Sequence, residues 1–107
     1  METKAKLVRD KIPQIIKAGG RTAKVRRIAS DRQYLKHLLA KLQEETLEAA
    51  DAAYDPVHLL EELADVQEVL DAIADLPQFG RAALRRRQAA KRRQRGGFKQ
   101  RLLLLLK

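Results

Sequence analysis

Two helical patterns in the middle of the chain place acidic residues where a helix normally buries apolar ones. In the first pattern, Leu38 and Leu42 recur at helical spacing, and Glu45 takes the next position on the same stripe. In the second, Glu62 follows Leu59 in the same way. Burying an unpaired carboxylate is costly, so buried acids are paired or bind a metal. If these positions are buried as the period indicates, the fold must bring these acids to a cation.

Each inward acid has a second acid three residues further along. Glu45 is spaced in this way from Glu48, and Glu62 from Asp65, so both members of a pair share one helix face. No matching inward Lys or Arg is expected beside these four acids. Because carboxylate oxygens are the ligands that Mg²⁺ and Mn²⁺ prefer, we predict a Mg²⁺ site that could also take Mn²⁺.

Two other uses of these acids remain open. The acids could face water and form ordinary ion pairs one helical turn away, as Lys41 could with Glu45. A di-iron bundle also uses inward acids, but it requires Glu-x-x-His pairs. Only Asp55 and His58 approach that spacing, and they lie at a helix start.

The helix signals predict an all-α bundle built on an antiparallel helix hairpin. Ser30 is a cap for a first helix over about 31–53. Asp55 and Pro56 are typical cap and first-turn residues of a second helix, over about 56–76. Since the loop between these helices is short, we expect them to pack side by side in opposite directions.

The flanking segments are shorter. Pro13 indicates a short N-terminal helix, and residues 21–29 suggest an extended connector with at most a short strand. Residues 81–94 have good helix propensity, and Gly96 stops that helix. Five leucines at 102–106 form an apolar run that we expect to be buried, either on the core or on a second subunit.

Positive charge is concentrated at the two ends of the chain. The net charge of +9 divides into +7 over residues 1–30, −9 over 31–80 and +11 over 81–107. Acids in the centre could hold a metal while the basic ends hold phosphates. So basic a chain is also suited to nucleic acid, the other obvious partner.

Composition restricts the remaining possibilities. The chain has no Cys, which excludes disulfides and thiolate metal sites. No apolar run approaches the ~20 residues that span a bilayer, and the N-terminus lacks a signal-peptide pattern. We expect a cytoplasmic protein without a membrane partner, folded as a single domain over residues 1–107.

The acidic segments resemble a known signature. Residues 44–48 (EETLE) and 62–65 (ELAD) are similar to the EExxE…ExxD motif of the MazG-like all-α nucleoside triphosphate pyrophosphohydrolases. That superfamily includes phosphoribosyl-ATP pyrophosphohydrolases and dimeric dUTPases. Residues 6–13 (KLVRDKIP) and 91–98 (KRRQRGGF) resemble segments of its phosphoribosyl-ATP pyrophosphohydrolase-like subgroup, so the resemblance covers nearly the whole chain.

The resemblance implies an activity and a set of site residues. It implies that a nucleoside triphosphate, or a phosphoribosyl-ATP-like substrate, is cleaved between the α and β phosphates to give the monophosphate and pyrophosphate, and that the biological role is house-cleaning, the removal of unwanted nucleotides. The resemblance implies a homodimer or homotetramer and Mg²⁺ bound by four acids, with Glu44 as a further catalytic acid. The implied metal ligands are Glu45, Glu48, Glu62 and Asp65.

Phosphate binding has to come from the ends of the chain. Many members of the superfamily keep a Lys or Asn shortly after the ExxD element, whereas here no basic residue follows Asp65 until Arg81. The candidate phosphate ligands are Arg9, Lys11, Lys91, Arg92 and Arg95. Two other functions remain open: a basic helical nucleic-acid-binding protein that uses residues 81–101, and a catalytically silent interaction module.

Overall fold

Four helices account for the regular secondary structure of residues 5–106, the part of the chain that the computed structural model describes. They are α1 (Ile12–Ala18), α2 (Asp31–Asp51), α3 (Pro56–Ala74) and α4 (Arg81–Arg95). No strand occurs among these described residues. The all-α prediction is therefore confirmed.

The chain divides into two compact units, one up to Ile73 and the other from Ala74 onward. In the first unit an irregular N-terminal segment leads into α1, where Pro13 lies in the first turn as predicted. Residues 21–30 form an irregular connector without helix or strand and lead to α2.

The start of α2 is fixed by the predicted cap. The backbone N–H of Gln33 donates a hydrogen bond to Ser30 Oγ at 3.2 Å, which satisfies one of the free N–H groups of the first turn. The predicted inward stripe is also found, since Leu38, Glu45 and Ala49 are buried. The helix thus carries an acid into a position that the rest of its stripe fills with apolar side chains.

A four-residue link, residues 52–55, separates α2 from α3. Asp55 caps α3 by accepting a hydrogen bond at Oδ1 from the backbone N–H of His58, at 3.2 Å. Both helices end two residues earlier than predicted, α2 at Asp51 and α3 at Ala74. Such differences are common, because terminal turns fray.

In the second unit, α4 lies between two glycines in conformations that other residues rarely adopt. Gly80 precedes it with φ 103°, and Gly96 ends it with φ 82°. At the first residue of the helix, Arg81 Nε lies 2.7 Å from Asp75 Oδ1. None of the residues of α4 is buried.

The leucine run is exposed, with 81–89% of each residue from Leu102 to Leu106 accessible to solvent. The prediction that this run packs on the core of the same chain is therefore wrong. The run forms no helix or strand, and an irregular segment has no single face on which to bury five consecutive side chains. Its docking on a second subunit stays a prediction.

Few apolar residues are buried in the described chain. Three of the six buried apolar residues in this range are alanines, and none of its large side chains is fully enclosed. Meanwhile Leu60 and Leu63 on α3 are exposed. The buried apolar residues are Leu38, Ala49, Ala52, Val69, Ala74 and Leu76.

No helix among residues 5–106 is both long and apolar enough to cross a membrane.

Candidate metal centre

The carboxylates of α2 and α3 converge within the first unit. Their oxygens form two overlapping groups, each with ligand atoms within 4.8 Å of one another, and Glu45 belongs to both groups. Oxygens on opposite sides of one Mg²⁺ lie roughly 4.2 Å apart, so the groups approach the separation that one cation requires. We call the five residues the acid cluster: Glu44, Glu45, Glu48, Glu62 and Asp65.

Glu45 lies at the centre of the acid cluster and is buried, with 7% of the residue exposed. Its Oε2 and the Oε2 of Glu62 are buried oxygens without a hydrogen-bond partner in the described part of the chain. Burial raises the pKa of Glu45, and the nearby charges of Glu48 and Asp65 raise it further. Such an arrangement is unfavourable for an ionised acid unless a cation compensates it.

Three cationic side chains make four contacts with the cluster. Lys6 Nζ lies 2.6 Å from Glu44 Oε1, and Lys41 Nζ lies 3.6 Å from Glu44 Oε2 and 3.5 Å from Glu45 Oε1. The third side chain is Arg9, whose Nη2 lies 2.5 Å from Asp65 Oδ1. The hydrogen bond from Lys6 lowers the pKa of Glu44 and raises that of Lys6 itself.

These contacts correct one expectation. The inward acids are not without basic partners, because Lys41 pairs with Glu45 and Arg9 pairs with Asp65. Only 19% of the Lys41 side chain is exposed, and its ammonium reaches the acids. The ion pair between Lys41 and Glu45 that was considered as an alternative is therefore present.

The ion pairs leave the cluster with excess negative charge. Five carboxylates meet three cations, which leaves two negative charges when all five acids are ionised and His58 is neutral. A divalent cation supplies two positive charges. The oxygen-only donor set suits Mg²⁺ or Mn²⁺ better than softer metals. The residues present therefore fit the predicted cation.

His58 adds a polar neighbour on α3. Its Nε2 lies 3.1 Å from Glu62 Oε1, one helical turn away. Hydrogen bonds of this kind hold the orientation of a carboxylate, a role that outer residues commonly have around metal ligands. The contact uses one oxygen of Glu62 and leaves the other, Oε2, without a partner among the described residues.

The structure places the predicted phosphate ligands in different regions. Arg9 reaches the acid cluster, whereas Lys11 is exposed at the start of α1 and forms no ion pair with the cluster in the described residues. Lys91, Arg92 and Arg95 are exposed on α4, within the second unit.

Sequence reasoning assigned no place at the cluster to His58 or Lys6, and it considered Lys41 only as a partner of Glu45 under the alternative in which the acids face water. His58 stands one helical turn from Glu62, so its i,i+4 spacing was a usable signal. Lys6 lies in the segment 6–13 that resembles the phosphoribosyl-ATP pyrophosphohydrolase-like subgroup, but no role was assigned to it. Nothing local in the sequence indicates that it reaches Glu44.

Comparisons with known proteins give one partial match. A protein of Mycolicibacterium smegmatis described as uncharacterized is 53% identical over 49 residues, which cover 44% of this chain and 49% of that protein. The chain thus spans about half the length of this relative. No model of a protein family matches the chain, and no solved structure matches it either.

Proposed function

We propose that this chain is a Mg²⁺-dependent nucleoside triphosphate pyrophosphohydrolase that releases pyrophosphate by cleavage between the α and β phosphates. The observation that carries the proposal is the pair of buried oxygens, Glu45 Oε2 and Glu62 Oε2, which have no partner among the described residues. Both belong to the acid cluster, which has more negative than positive charge. A buried, unpartnered carboxylate oxygen is costly, and a bound divalent cation removes that cost.

Four residues of the acid cluster are the proposed ligands of Mg²⁺, which Mn²⁺ could replace. They offer the hard oxygen atoms that both ions prefer. When bound, the cation neutralises negative charge on the substrate phosphates. The ligands are Glu45, Glu48, Glu62 and Asp65.

The attacking water needs a carboxylate that accepts its hydrogen bond. Glu44 and Glu48 are the two candidates on α2. Glu44 pairs with Lys41 on its own helix, a contact that does not involve the N-terminal segment. Glu48 is exposed to solvent beside Glu45, which favours Glu48 for this role.

The proposal includes an assembled, single-domain cytoplasmic protein in which α2 and α3 form an antiparallel hairpin inside a helical bundle. Exposed apolar side chains on α3, such as Leu60 and Leu63, support association into a homodimer or homotetramer. Arg9, Lys11 and three residues of α4 are the proposed phosphate ligands, because guanidinium and ammonium groups bind phosphate oxygens well. The three α4 residues are Lys91, Arg92 and Arg95.

Pyrophosphate release from a panel of nucleoside triphosphates and phosphoribosyl-ATP tests the activity directly. We expect release that requires Mg²⁺ and is abolished by Glu45→Gln and by Asp65→Asn. Glu68→Gln is the matched control, since Glu68 is an exposed acid on α3 outside the cluster. A lack of release from every substrate, or equal activity of Glu45→Gln and wild type, would contradict the proposal.

The alternative function is nucleic-acid binding without catalysis, and the composition of α4 favours it. This helix carries eight basic residues and no acidic one. Such a surface attracts phosphate backbones with strong salt dependence. Under this alternative, DNA or RNA binding survives Glu45→Gln and is lost when Arg85, Arg86 and Arg87 are all replaced by Gln.

A further inference from the structure

The N-terminal segment of residues 5–10 is tied to both helices that carry the acid cluster. Lys6 pairs with Glu44 on α2, and Arg9 pairs with Asp65 on α3, 56 positions away in the sequence. Between these two contacts the segment has neither helix nor strand. It is therefore held to the first unit in part by ion pairs with proposed site residues.

The contact between Arg9 and Asp65 involves a carboxylate that the proposed cation also needs. Asp65 belongs to the group of ligand atoms that includes Glu45 and Glu62. A guanidinium and a divalent cation on one carboxylate repel each other. Cation binding must therefore compete with this ion pair.

We propose that residues 5–10 form an electrostatic strap, in which Arg9 and Lys6 act as internal counter-ions that a divalent cation displaces and that then bind the phosphates of the ligand. The inference rests on the proposed function, because it takes the acid cluster as the cation site. It goes further by giving the strap two alternative sets of partners, carboxylates and phosphates.

The strength of the contacts makes this exchange feasible. Both ion pairs are at the surface, with more than half of the Lys6 and Arg9 side chains exposed. Exposed pairs are weak, and each changes an equilibrium by about 2- to 5-fold. A divalent cation with several carboxylate ligands can displace such pairs at a modest cost in affinity.

Released side chains of the strap are suited to phosphate. The planar guanidinium of Arg9 can donate two parallel hydrogen bonds to a phosphate, and the ammonium of Lys6 adds a point charge. By linkage, a phosphate that draws Arg9 away from Asp65 must strengthen cation binding by the same factor that the cation strengthens phosphate binding. The strap thus couples the two halves of a metal–phosphate ligand.

Mn²⁺ binding to the full chain, followed by electron paramagnetic resonance, tests the competition. We expect Arg9→Gln and Lys6→Gln each to bind Mn²⁺ about 2- to 5-fold more tightly than wild type. Lys17→Gln removes the same charge from α1, where no ion pair with the cluster is found in the described residues, and is expected to leave the affinity unchanged. Glu45→Gln is expected to lose Mn²⁺ binding.

A second measurement reports on the strap itself. The ¹⁵N heteronuclear NOE of residues 6–9 is expected to fall when Mg²⁺ is added to wild type, because the released segment gains fast motion. In Arg9→Gln the NOE of these residues is expected to be low before Mg²⁺ is added. The same readout for Lys17→Gln is expected to follow wild type.

The outcomes separate the strap from the proposed function. If Glu45→Gln loses Mn²⁺ binding but Arg9→Gln binds no more tightly than wild type, the strap is wrong and the cation site stands. An NOE that stays high at saturating Mg²⁺ also overturns the strap. If neither wild type nor Arg9→Gln binds Mn²⁺, the cation site fails and the strap fails with it.

Discussion

The acid cluster and helix α4 are both dense in like charge, yet they place that charge in opposite ways. In the acid cluster, carboxylates from two helices converge and Glu45 is buried among them. On α4, eight basic side chains are spread along one helix that has no buried residue. Converging charge in a buried place requires a specific counter-ion, whereas charge spread in water requires none. The comparison therefore supports a cation site at the cluster, while the charge on α4 can attract anions.

The largest expected effect comes from removing the central acid. Glu45→Gln keeps the size of the side chain and removes its charge, so we expect kcat/KM for pyrophosphate release to fall by about 10³-fold or more. The control Glu68→Gln is expected to stay within about 2-fold of wild type, as is usual for an exposed charge. Equal losses in the two variants would remove the distinction between converging and dispersed acids.

A smaller effect is expected on α4. Replacing Arg92 by Gln is expected to raise KM by about 10-fold with little change in kcat, because a surface charge mainly aids encounter and binding. This effect should shrink as salt rises from low to physiological concentration. Steady-state kinetics at two ionic strengths checks it. A loss of kcat as large as that of Glu45→Gln would mean that α4 also takes part in the chemistry.

The next effect is on the pH dependence of the free energy of unfolding, through the buried acid Glu45. Burial raises the pKa of Glu45 above its ordinary value of 4.5, so the folded chain holds this proton more tightly than the unfolded chain. The resulting contribution to the free energy of unfolding is present below pH 4.5 and is lost as the pH rises through the raised pKa. Without divalent cations, Glu45→Gln should therefore be more stable than wild type at pH 7.

Urea unfolding in a chelator at several pH values measures this difference. The advantage of Glu45→Gln should shrink towards pH 4, where the acid is neutral in wild type as well. Added Mg²⁺ should raise the free energy of unfolding of wild type by about 2.7 kcal/mol when free Mg²⁺ is 100 times the Kd. It should leave that of Glu45→Gln unchanged. A variant that is less stable than wild type at pH 7 in chelator would show that the cluster compensates its own charge.

The smallest effect is expected at the ion pair between Asp75 and Arg81, the first residue of α4, which lies outside the acid cluster. Arg81 lowers the pKa of Asp75 below 3.8, so this contribution to stability is present above that pH and is lost on acidification, opposite in sign to Glu45. Both side chains are about half exposed. Asp75→Asn should therefore shift Tm by only about 1–2 °C, with less effect in high salt. Thermal unfolding at pH 7 in low and high salt tests this.

Local signals in the sequence predicted where the main helices begin and which residue faces inward. The cap at Ser30 and the cap at Asp55 follow from short-range hydrogen bonds, which fixed the starts of α2 and α3. The apolar stripe placed Glu45 inward because helical periodicity depends only on spacing. The same periodicity does not indicate which cation pairs with Glu45.

Contacts between distant segments could not be predicted in this way. Arg9 and Asp65 are 56 residues apart, and no periodic pattern links them. The sequence indicated a basic N-terminal segment for binding phosphates, but it could not indicate that Arg9 pairs with an acid of the proposed metal site. The prediction that residues 102–106 pack on the core failed for a related reason. Whether a run of leucines is buried depends on a complementary apolar surface elsewhere, and local composition does not describe that surface.

The small amount of buried apolar surface has a consequence for unfolding experiments. Only six apolar residues are buried within residues 5–106, so unfolding one isolated chain exposes little new apolar surface. The denaturant m-value and the heat-capacity change should then be low for a chain of this length. If copies associate, both quantities should rise with protein concentration, and the midpoint of unfolding should rise with them.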